Sequence, residues 1–286
     1  TRFHINYLET LAAFFALKSF AVDLRSTRVQ LYIDNTAAVY YINNMGGTKS
    51  VALNNLARQI WQWCISRGID LIAVYTPGPL NEEADFHSRH LNVRTEWSLH
   101  PQIFHWLTQT LYIPDIDPFA SRINTKLPRF VSWRPDPGAD ACDAFTLNWS
   151  EFDGYAFPPF SLIPRVLTHV RRDVVARLLL IAPVWPTQPW YPILLEMLAD
   201  RPILLPKWPN LLKLPHNDQL HPLRLQLQLA AWIVSGKDSS IKDFRMGLPT
   251  LSVNPGPMAR ANSMMQPGMP GVAGAAHNRL IYFKLL

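Results

Sequence analysis

The sequence has 286 residues, of which 48% are hydrophobic and only 17% are charged. This composition excludes a disordered chain, which would be rich in charge, and the presence of only two cysteines, Cys64 and Cys142, excludes a disulfide scaffold. No apolar run approaches the roughly 20 residues of a membrane helix, and the length favours two domains. We therefore expect an intracellular protein, in the cytoplasm or the nucleus, that does not bind a membrane.

The net charge of +6 is unevenly distributed along the chain. Residues 1–93 and 94–236 each carry a net charge of +1, whereas residues 237–286 carry +4. Clustered basic residues are the usual electrostatic mark of a protein that binds nucleic-acid phosphates. Since the two regions with folding patterns are nearly neutral, charge is weak evidence for such a partner. The basic C-terminal end is typical of a solvated tail.

Residues 1–93 contain alternating helix and strand patterns. Apolar residues at helical spacing predict a first helix over 7–22, with Asn6 as its N-cap and Glu9 in the capping-box position. The next elements are predicted as a strand over 29–33, a helix over 36–42, a helix over 50–67 and a strand over 71–75. After the turn at 77–79, Asn81 is predicted to begin a last helix that carries Asp85.

Residues 94–236 show short apolar runs separated by proline-rich turns. The pattern predicts strands over 112–116, 129–133, 154–157 and 178–183, and helices over 103–111 and 162–172. Strands that alternate with helices favour an α/β domain with a largely parallel sheet. Residues 220–234 predict one more short helix or an edge element, and the composition of 237–286 predicts a flexible tail.

Three acidic residues occupy positions where ligand-binding groups often converge. Glu9 lies on the first helix, Asp34 ends a strand and Asp85 begins a helix. Clustered carboxylates repel one another unless divalent cations neutralise them, and hard oxygen ligands suit Mg²⁺ or Mn²⁺. The alternative explanations are local. Glu9 would be a capping-box residue, Asp34 a turn residue and Asp85 a complement to a helix N-terminus.

Three motifs in chain order resemble retroelement ribonuclease H: Ile5-Asn6-Tyr7-Leu8-Glu9-Thr10, Leu31-Tyr32-Ile33-Asp34-Asn35-Thr36 and Asn81-Glu82-Glu83-Ala84-Asp85-Phe86-His87. The stretch 43–50 is similar to the DIRS-type, tyrosine-recombinase branch of retrotransposons. The resemblance implies two-metal hydrolysis of the RNA strand of RNA–DNA hybrids by Glu9, Asp34 and Asp85. It also implies that a reverse transcriptase belongs to the same polyprotein. Arg89 would contact a nucleic-acid phosphate, or else only the C-terminal end of its own helix.

The same resemblance implies a fourth carboxylate on a strand that precedes the Glu9 helix, and two further strands beside it. Only eight residues precede Glu9, and the chain begins at Thr1 without an initiator methionine. We therefore expect this chain to start inside a larger polypeptide and its metal site to be incomplete as it stands.

The second region resembles the phage-type DNA N6-adenine methyltransferase module of DIRS-type elements. The similarity includes Asp117-Pro118-Phe119-Ala120-Ser121, Asp143-Ala144-Phe145 and Phe157-Pro158-Pro159-Phe160. It implies that Asp117 contacts the methyl donor, S-adenosylmethionine, and that Phe160 stacks on a base. At the position of Phe157 the family has Asn or Asp, whose oxygen accepts a hydrogen bond from the target amino group. Because phenylalanine has no acceptor, methyl transfer and S-adenosylmethionine binding are disfavoured.

The predicted fold is therefore α/β in two domains. A truncated ribonuclease H-like domain over 1–93 is followed by a degenerate, Rossmann-like methyltransferase-type domain over 94–236 and a flexible basic tail over 237–286. The leading function is metal-dependent hydrolysis of RNA–DNA hybrids. DNA adenine methylation and a non-catalytic role in binding nucleic acid are the alternatives. The tryptophans of the second region are either base-stacking or core residues: Trp133, Trp149, Trp185, Trp190 and Trp208.

Overall fold

The computed structural model describes residues 3–77, 97–215, 219–224, 226–250 and 271–286. The chain divides into two compact units, Thr1–Asn92 with Pro135–Gly138, and Val93–Arg134 with Ala139–Leu286. The structure is mixed α/β and contains seven α-helices within the described ranges. No helix in these ranges is long and apolar enough to cross a membrane.

The first unit contains three helices and two strands among its described residues. In chain order they are α1 Ile5–Phe20, β1 Arg28–Ile33, α2 Thr36–Asn43, α3 Val51–Ile65 and β2 Asp70–Tyr75. The predicted helices and strands up to residue 75 are confirmed, with small differences at their ends. The helix predicted after Asn81 lies outside the described residues.

The two strands of the first unit form a parallel pair in which Ile33 lies opposite Tyr75. A parallel pair requires a crossover connection, which α2 and α3 provide. The predicted apolar stripe of α3 is confirmed, because Leu56, Ile60 and Cys64 are buried at four-residue spacing. The core is completed by residues from the other elements, which include Phe14, Leu17, Ala38, Ile42 and Leu71. This packing holds the end of β1 beside the start of α1.

The second unit contains short strands connected by helices and long turns. Its first elements are β3 Ser98–Leu99, α4 Pro101–Thr110, β4 Val131–Ser132, β5 Ala141–Cys142, β6 Gly154–Ala156, α5 Ile163–Arg172 and β7 Leu178–Pro183. The remaining elements are α6 Trp190–Glu196, β8 Ile203–Leu204, β9 Leu212–Lys213, β10 Leu229–Val234, α7 Asp238–Met246, β11 Val272–Ala276, β12 Arg279–Tyr282 and β13 Lys284–Leu285. The predicted strand over 112–116 is reduced to a single bridge between Ile116 and Gly154.

A mixed five-stranded sheet with the order β13-β8-β10-β7-β6 forms the centre of the second unit. Strands β6 and β7 are parallel, whereas β10 is antiparallel to both of its neighbours. The predictions of a largely parallel sheet and of an edge element over 220–234 are therefore wrong. Strand β10 is central because all six of its residues, Leu229–Val234, are apolar and buried, as a strand covered on both faces must be.

The predicted flexible tail over 237–286 is wrong for the residues that the structure describes in it. Helix α7 follows β10 directly, and β13 extends the sheet by pairing in parallel with β8. Ala273, Ile281 and Phe283 are buried in the main core. The last residues are apolar and have high β-propensity, so they form strands although a Ser-, Gly- and Pro-rich stretch precedes them. Packing even a short strand against a sheet removes apolar surface of both from water, which stabilises the strand.

A buried polar network joins the turn before β6 to the end of α5. The Asp173 carboxylate accepts hydrogen bonds from the backbone N–H of Trp149 at 2.9 Å and from Arg172 Nε at 2.7 Å. It also lies 3.0 Å from His169 Nε2, and its side chain is only 8% exposed. Burial by itself would raise the pKa of Asp173, but the hydrogen bonds from Arg172 and Trp149 bring it below its usual range.

Replacing Asp173 with Asn should lower the free energy of unfolding by about 1–3 kcal/mol at neutral pH, because buried donors lose a charged acceptor. Since the pKa of Asp173 is lower in the folded chain, its stabilisation is present above the unfolded-state value of about 4 and is lost as the pH falls further. We therefore expect the difference in the free energy of unfolding between wild type and variant, measured by urea unfolding, to be smaller at about pH 2 than at neutral pH.

Asp140→Asn is a matched control for this prediction. Asp140 accepts a hydrogen bond from Arg129 Nε at 2.7 Å, but its side chain is 33% exposed and that of Arg129 is 57% exposed. Its loss should change the free energy of unfolding by less than about 1 kcal/mol. An equal effect of Asp140→Asn and Asp173→Asn would contradict the role assigned to the buried network.

Candidate functional site

The first candidate site lies where β1 ends beside the first turns of α1. Asn35, which follows Asp34, donates from Nδ2 to Asn6 Oδ1 at 3.1 Å. Glu9 lies three residues after Asn6 and so occupies the same face of α1. The half-buried Glu9 therefore shares this region with the exposed Asp34. The structure brings these two predicted site residues together.

The electrostatics of Glu9 agree with this placement. Partial burial raises the pKa of the Glu9 carboxyl, and the negative charge of Asp34 raises it further. Neither carboxylate forms a hydrogen bond or an ion pair with another residue in the described part of the chain. Two carboxylates that interact electrostatically and have no cationic partner among those residues are suitable ligands for a hard divalent cation.

The geometry does not support the local explanation for Glu9, whereas Asp34 lies in the bend between β1 and α2, in agreement with the turn alternative. Helix α1 begins two residues earlier than a capping-box role for Glu9 requires, since His4 is the N-cap and its Nδ1 accepts from the Asn6 N–H at 3.2 Å. Asn6 is therefore a helical residue, and its predicted role as N-cap is wrong. The start of α2 is capped by Asn35, whose Oδ1 accepts from the Ala38 N–H at 3.0 Å. Asp34 has no part in that cap.

The third predicted metal ligand, Asp85, and the predicted phosphate contact, Arg89, lie outside the described residues. Within the described ranges, no group of three or more His, Cys, Asp or Glu side chains is arranged to hold a metal ion. Glu9 and Asp34 are thus the part of the predicted Mg²⁺ or Mn²⁺ site that the structure describes.

The second candidate site lies at one edge of the main sheet. Ile116 bridges to Gly154 in parallel, and β6 pairs in parallel with β7, so the carboxyl ends of these strands lie at the same side of the sheet. Asp117 follows Ile116, Phe157 follows β6 and Trp185 lies two residues beyond β7. The structure therefore brings Asp117 and the Pro-Pro segment to the same end of these strands.

Asp117 is 3% exposed and its carboxylate is used to hold the following loop. It accepts hydrogen bonds from the backbone N–H groups of Phe119 at 3.4 Å and Lys126 at 3.3 Å. Burial raises the pKa of Asp117 to about 7, against the opposing effect of these hydrogen bonds. The space beside it, lined in part by Tyr155 and Phe157, has a volume of only about 10 Å³, close to the minimum for one water molecule.

Asp117 predicts an unusual pH dependence of stability. Because its pKa is about 7 in the folded chain and about 4 in the unfolded chain, the folded state binds the extra proton between these values. As the pH rises from roughly 4 to 7, the free energy of unfolding should therefore fall by about 1 kcal/mol for each pH unit. Above pH 7 it should no longer change because of Asp117. Asp117→Asn should remove this slope in urea unfolding, and an unchanged slope in the variant would contradict the assignment.

The aromatic residues near Asp117 form a tilted cluster. The ring centroids of Phe157 and Phe160 are 6.3 Å apart, and Phe160 contacts Trp185 edge to face at 5.3 Å. All three side chains are half-buried, so each keeps part of its ring accessible. Phe157 places no hydrogen-bond acceptor at this edge.

The other tryptophans of the second region separate into two groups. Trp149 and Trp190 are buried in the core, whereas Trp133 is 56% exposed and Trp208 is 38% exposed. Trp133 stacks against its neighbour, the Arg134 guanidinium, at 3.8 Å. The core alternative is therefore correct for Trp149 and Trp190.

Some residues of these sites carry no strong signal in the sequence. The hydrogen bond between Asn6 and Asn35 joins the two elements that carry the carboxylates. The sequence feature that could have indicated this role is that each asparagine belongs to a motif that also contains an acidic residue. Lys126 and Lys213 line a common cavity although they are 87 positions apart. Only folding brings such a pair together.

The fold and these sites define a mixed α/β protein of two units, with a carboxylate pair in the first and a buried acid beside an aromatic cluster in the second. In comparisons with known proteins, no family model matches the chain and no curated protein shows significant similarity to it.

Proposed function

We propose that the first unit is a ribonuclease H-like module of a DIRS-type retroelement polyprotein, acting on RNA–DNA hybrids with the reverse transcriptase of the same polyprotein. The observation that carries the proposal is the pairing of Glu9 with Asp34 at the end of a parallel strand. The motif around Asp85 supports it from the sequence. The arrangement of β1, α2, α3 and β2 is compatible with the second half of such a fold.

In this proposal the carboxylates of Glu9, Asp34 and Asp85 hold Mg²⁺ or Mn²⁺. A bound pair of these ions would supply an activated water and stabilise the leaving oxygen of the phosphodiester. The residues themselves contribute position and charge. The Asn35–Asn6 hydrogen bond fixes the end of β1 against α1, and partial burial of Glu9 keeps its oxygens from full hydration.

For the second unit we propose a non-catalytic role in binding nucleic acid. Phe157 offers no acceptor to a target amino group, and the carboxylate of Asp117 is occupied by two backbone N–H groups. Phe160 and Trp185 offer aromatic surface on which a base can stack, an interaction worth about 1–3 kcal/mol for each base. The rival, a DNA N6-adenine methyltransferase, requires S-adenosylmethionine to bind near Asp117.

The nuclease proposal is tested with a labelled RNA–DNA hybrid and a matched DNA duplex, each incubated in Mg²⁺ and in Mn²⁺ with the chain as given and with a chain extended upstream by about 60 residues, long enough to supply the fourth carboxylate that the resemblance implies. The expected result is cleavage of the RNA strand of the hybrid, and not of the DNA duplex, by the extended chain. Absence of cleavage together with absence of Mn²⁺ binding by electron paramagnetic resonance would overturn the proposal.

The methyltransferase rival is tested separately by calorimetric titration with S-adenosylmethionine. We expect no binding heat for the wild type or for Phe157→Asn. A saturable titration by either chain would favour the methyltransferase over the non-catalytic role, and methylation of an adenine-containing oligonucleotide by Phe157→Asn would establish it.

A further inference from the structure

The two outer edges of the strand pair in the first unit differ. Asn43, at the end of α2, donates from Nδ2 to the Ala73 carbonyl at 2.8 Å, and its Oδ1 accepts from the Ala73 N–H at 2.8 Å. This amide therefore takes the place of a neighbouring strand at the outer edge of β2. Among the described residues, no side chain does the same at the outer edge of β1.

Hydrogen bonds at the two ends of β1 show in which direction its backbone groups point. The Thr27 carbonyl accepts from the Asp70 N–H and the Ile33 carbonyl accepts from the Thr76 N–H, both at 2.9 Å. The backbone groups of the odd-numbered residues therefore point towards β2, and those of the even-numbered residues point away from it. Three residues of β1 have outward-pointing backbone groups that form no hydrogen bond within the described part of the chain: Arg28, Gln30 and Tyr32.

Strand β1 has little protection against pairing with a further strand. It contains no proline, its register with β2 is continuous, and its one charged residue, Arg28, lies at its start. Val29 and Leu31 pack against the helices but stay half-buried, whereas Ile33 is buried. A strand added at this edge would extend the apolar layer and remove the exposed surface of Val29 and Leu31 from water.

The sequence of β1 is complementary to itself in an antiparallel arrangement. With a two-fold axis at Leu31, this residue lies opposite Leu31 of a second copy and Val29 lies opposite Ile33, all on the apolar face. Gln30 then lies opposite Tyr32, and both residues present outward-pointing backbone groups, so they can exchange both hydrogen bonds. A shift of one residue would place outward-pointing groups opposite groups that are already bonded to β2.

The same register brings opposite charges together at the ends of the paired strands. Arg28 lies opposite Asp34 of the second copy, and Asp34 is exposed and has no ion-pair partner in the described part of the chain. Arg28 Nε donates to Asp70 at 2.8 Å, and this bond can persist because a guanidinium group has further N–H donors. Arg28 would thus bind two carboxylates, and the pairing does not require it to be unpaired.

We infer that two copies of this chain associate through antiparallel pairing of β1 with β1, in the register that is centred on Leu31. The pairing would join two strand pairs into one continuous sheet, and a larger sheet is more stable than an isolated pair of strands. The inference rests on the backbone and the apolar residues of β1 and not on metal binding by the carboxylates. The nuclease proposal and this inference can therefore fail independently.

The association is tested by sedimentation velocity of the full chain in EDTA, at protein concentrations from about 1 to 100 µM. A dimer that increases with concentration is expected. Gln30→Pro removes an outward N–H and leaves the bonds to β2 in place, since edge strands tolerate proline where the N–H faces outwards. It should raise the dissociation constant of the dimer by at least about tenfold.

Gln30→Ala is the matched control, because it changes the same side chain and keeps the N–H. It should leave the dissociation constant within about threefold of the wild-type value. Circular dichroism spectra of both variants should match that of the wild type, which would show that the first unit remains folded.

The register is tested with Leu31→Cys, in a chain whose exposed Cys142 is replaced by Ser. The two new thiols would face each other across the two-fold axis in a non-hydrogen-bonded pair, at a Cα separation of about 4.5 Å that a disulfide can span. Oxidised glutathione should therefore produce a covalent dimer on a non-reducing gel. Val29→Cys in the same background is the control and should remain monomeric on the gel, because residue 29 lies opposite Ile33.

Three outcomes would overturn the inference. A monomer at every concentration would indicate that the edge of β1 is covered by a segment of its own chain. Equal dissociation constants for Gln30→Pro and Gln30→Ala would place the contact elsewhere. Cross-linking of Val29→Cys as efficient as that of Leu31→Cys would contradict the register.

Discussion

In a chain extended upstream to supply the fourth carboxylate, Glu9→Gln and Asp34→Asn should each reduce cleavage of the RNA strand of an RNA–DNA hybrid by at least about 100-fold, because each removes a charged ligand from the proposed metal site. Both changes preserve shape and remove one negative charge from the pair; in the wild type, partial burial and then the charge of Asp34 raise the pKa of Glu9. Titration with Mn²⁺ followed by electron paramagnetic resonance should show weaker ion binding by both variants. The unfolding midpoint should stay close to that of the wild type, since neither carboxylate has a partner within the described residues.

Asp23→Asn is the control for these two variants. Asp23 is an exposed acid just beyond the C-terminal end of α1, at the opposite end of the helix from Glu9. It removes the same charge from the same unit and should leave both cleavage and Mn²⁺ binding unchanged. If Asp23→Asn reduces cleavage as much as Glu9→Gln, or if Glu9→Gln and Asp34→Asn keep full activity, the carboxylate pair is not the active site.

Phe283→Ala should destabilise the second unit by about 3–5 kcal/mol, the usual effect of removing a buried aromatic side chain. Phe283 is 8% exposed and contacts Trp232 edge to face, with ring centroids 5.7 Å apart. Trp232 is fully buried at the centre of the sheet and donates from Nε1 to the Ala182 carbonyl at 3.1 Å. A destabilisation of this size would show that the C-terminal residues are part of the core rather than a tail attached to it.

The adjacent Tyr282→Ala gives a matched control, since Tyr282 is 38% exposed. It should change stability by less than about 1 kcal/mol. Urea unfolding followed by tryptophan fluorescence measures both variants, because most of the ten tryptophans belong to the second unit. Effects of Phe283→Ala as small as those of Tyr282→Ala would mean that residues 279–286 are not packed on the sheet.

Local signals predicted the helices of the first unit well. Ser50 caps α3 by accepting a hydrogen bond from the Leu53 N–H at 3.3 Å, and the apolar stripe of the helix is buried as its spacing indicates. Such features depend on residues close together in the chain. The same reasoning misplaced the start of α1, because the Asn6 side chain is engaged by Asn35, which is distant in sequence.

The errors in the second unit have a different cause. An apolar run such as Leu229–Val234 predicts a buried strand without indicating its neighbours or its direction. Pairing is decided by contacts with β7 and β8, which are far away in the chain. The C-terminal strand was missed because its short apolar run follows a long stretch of turn-forming residues.

The sequence by itself determined the class of the chain, since its apolar content and spacing require mixed α/β packing and its length allows two units. It also identified Glu9 and Asp34, because an acid at a strand end and an acid on a helix are local features. Tertiary structure decided that these two acids are neighbours, that β10 is central and that the C-terminal end is core. These outcomes depend on which distant surfaces exclude water together, which no local pattern specifies.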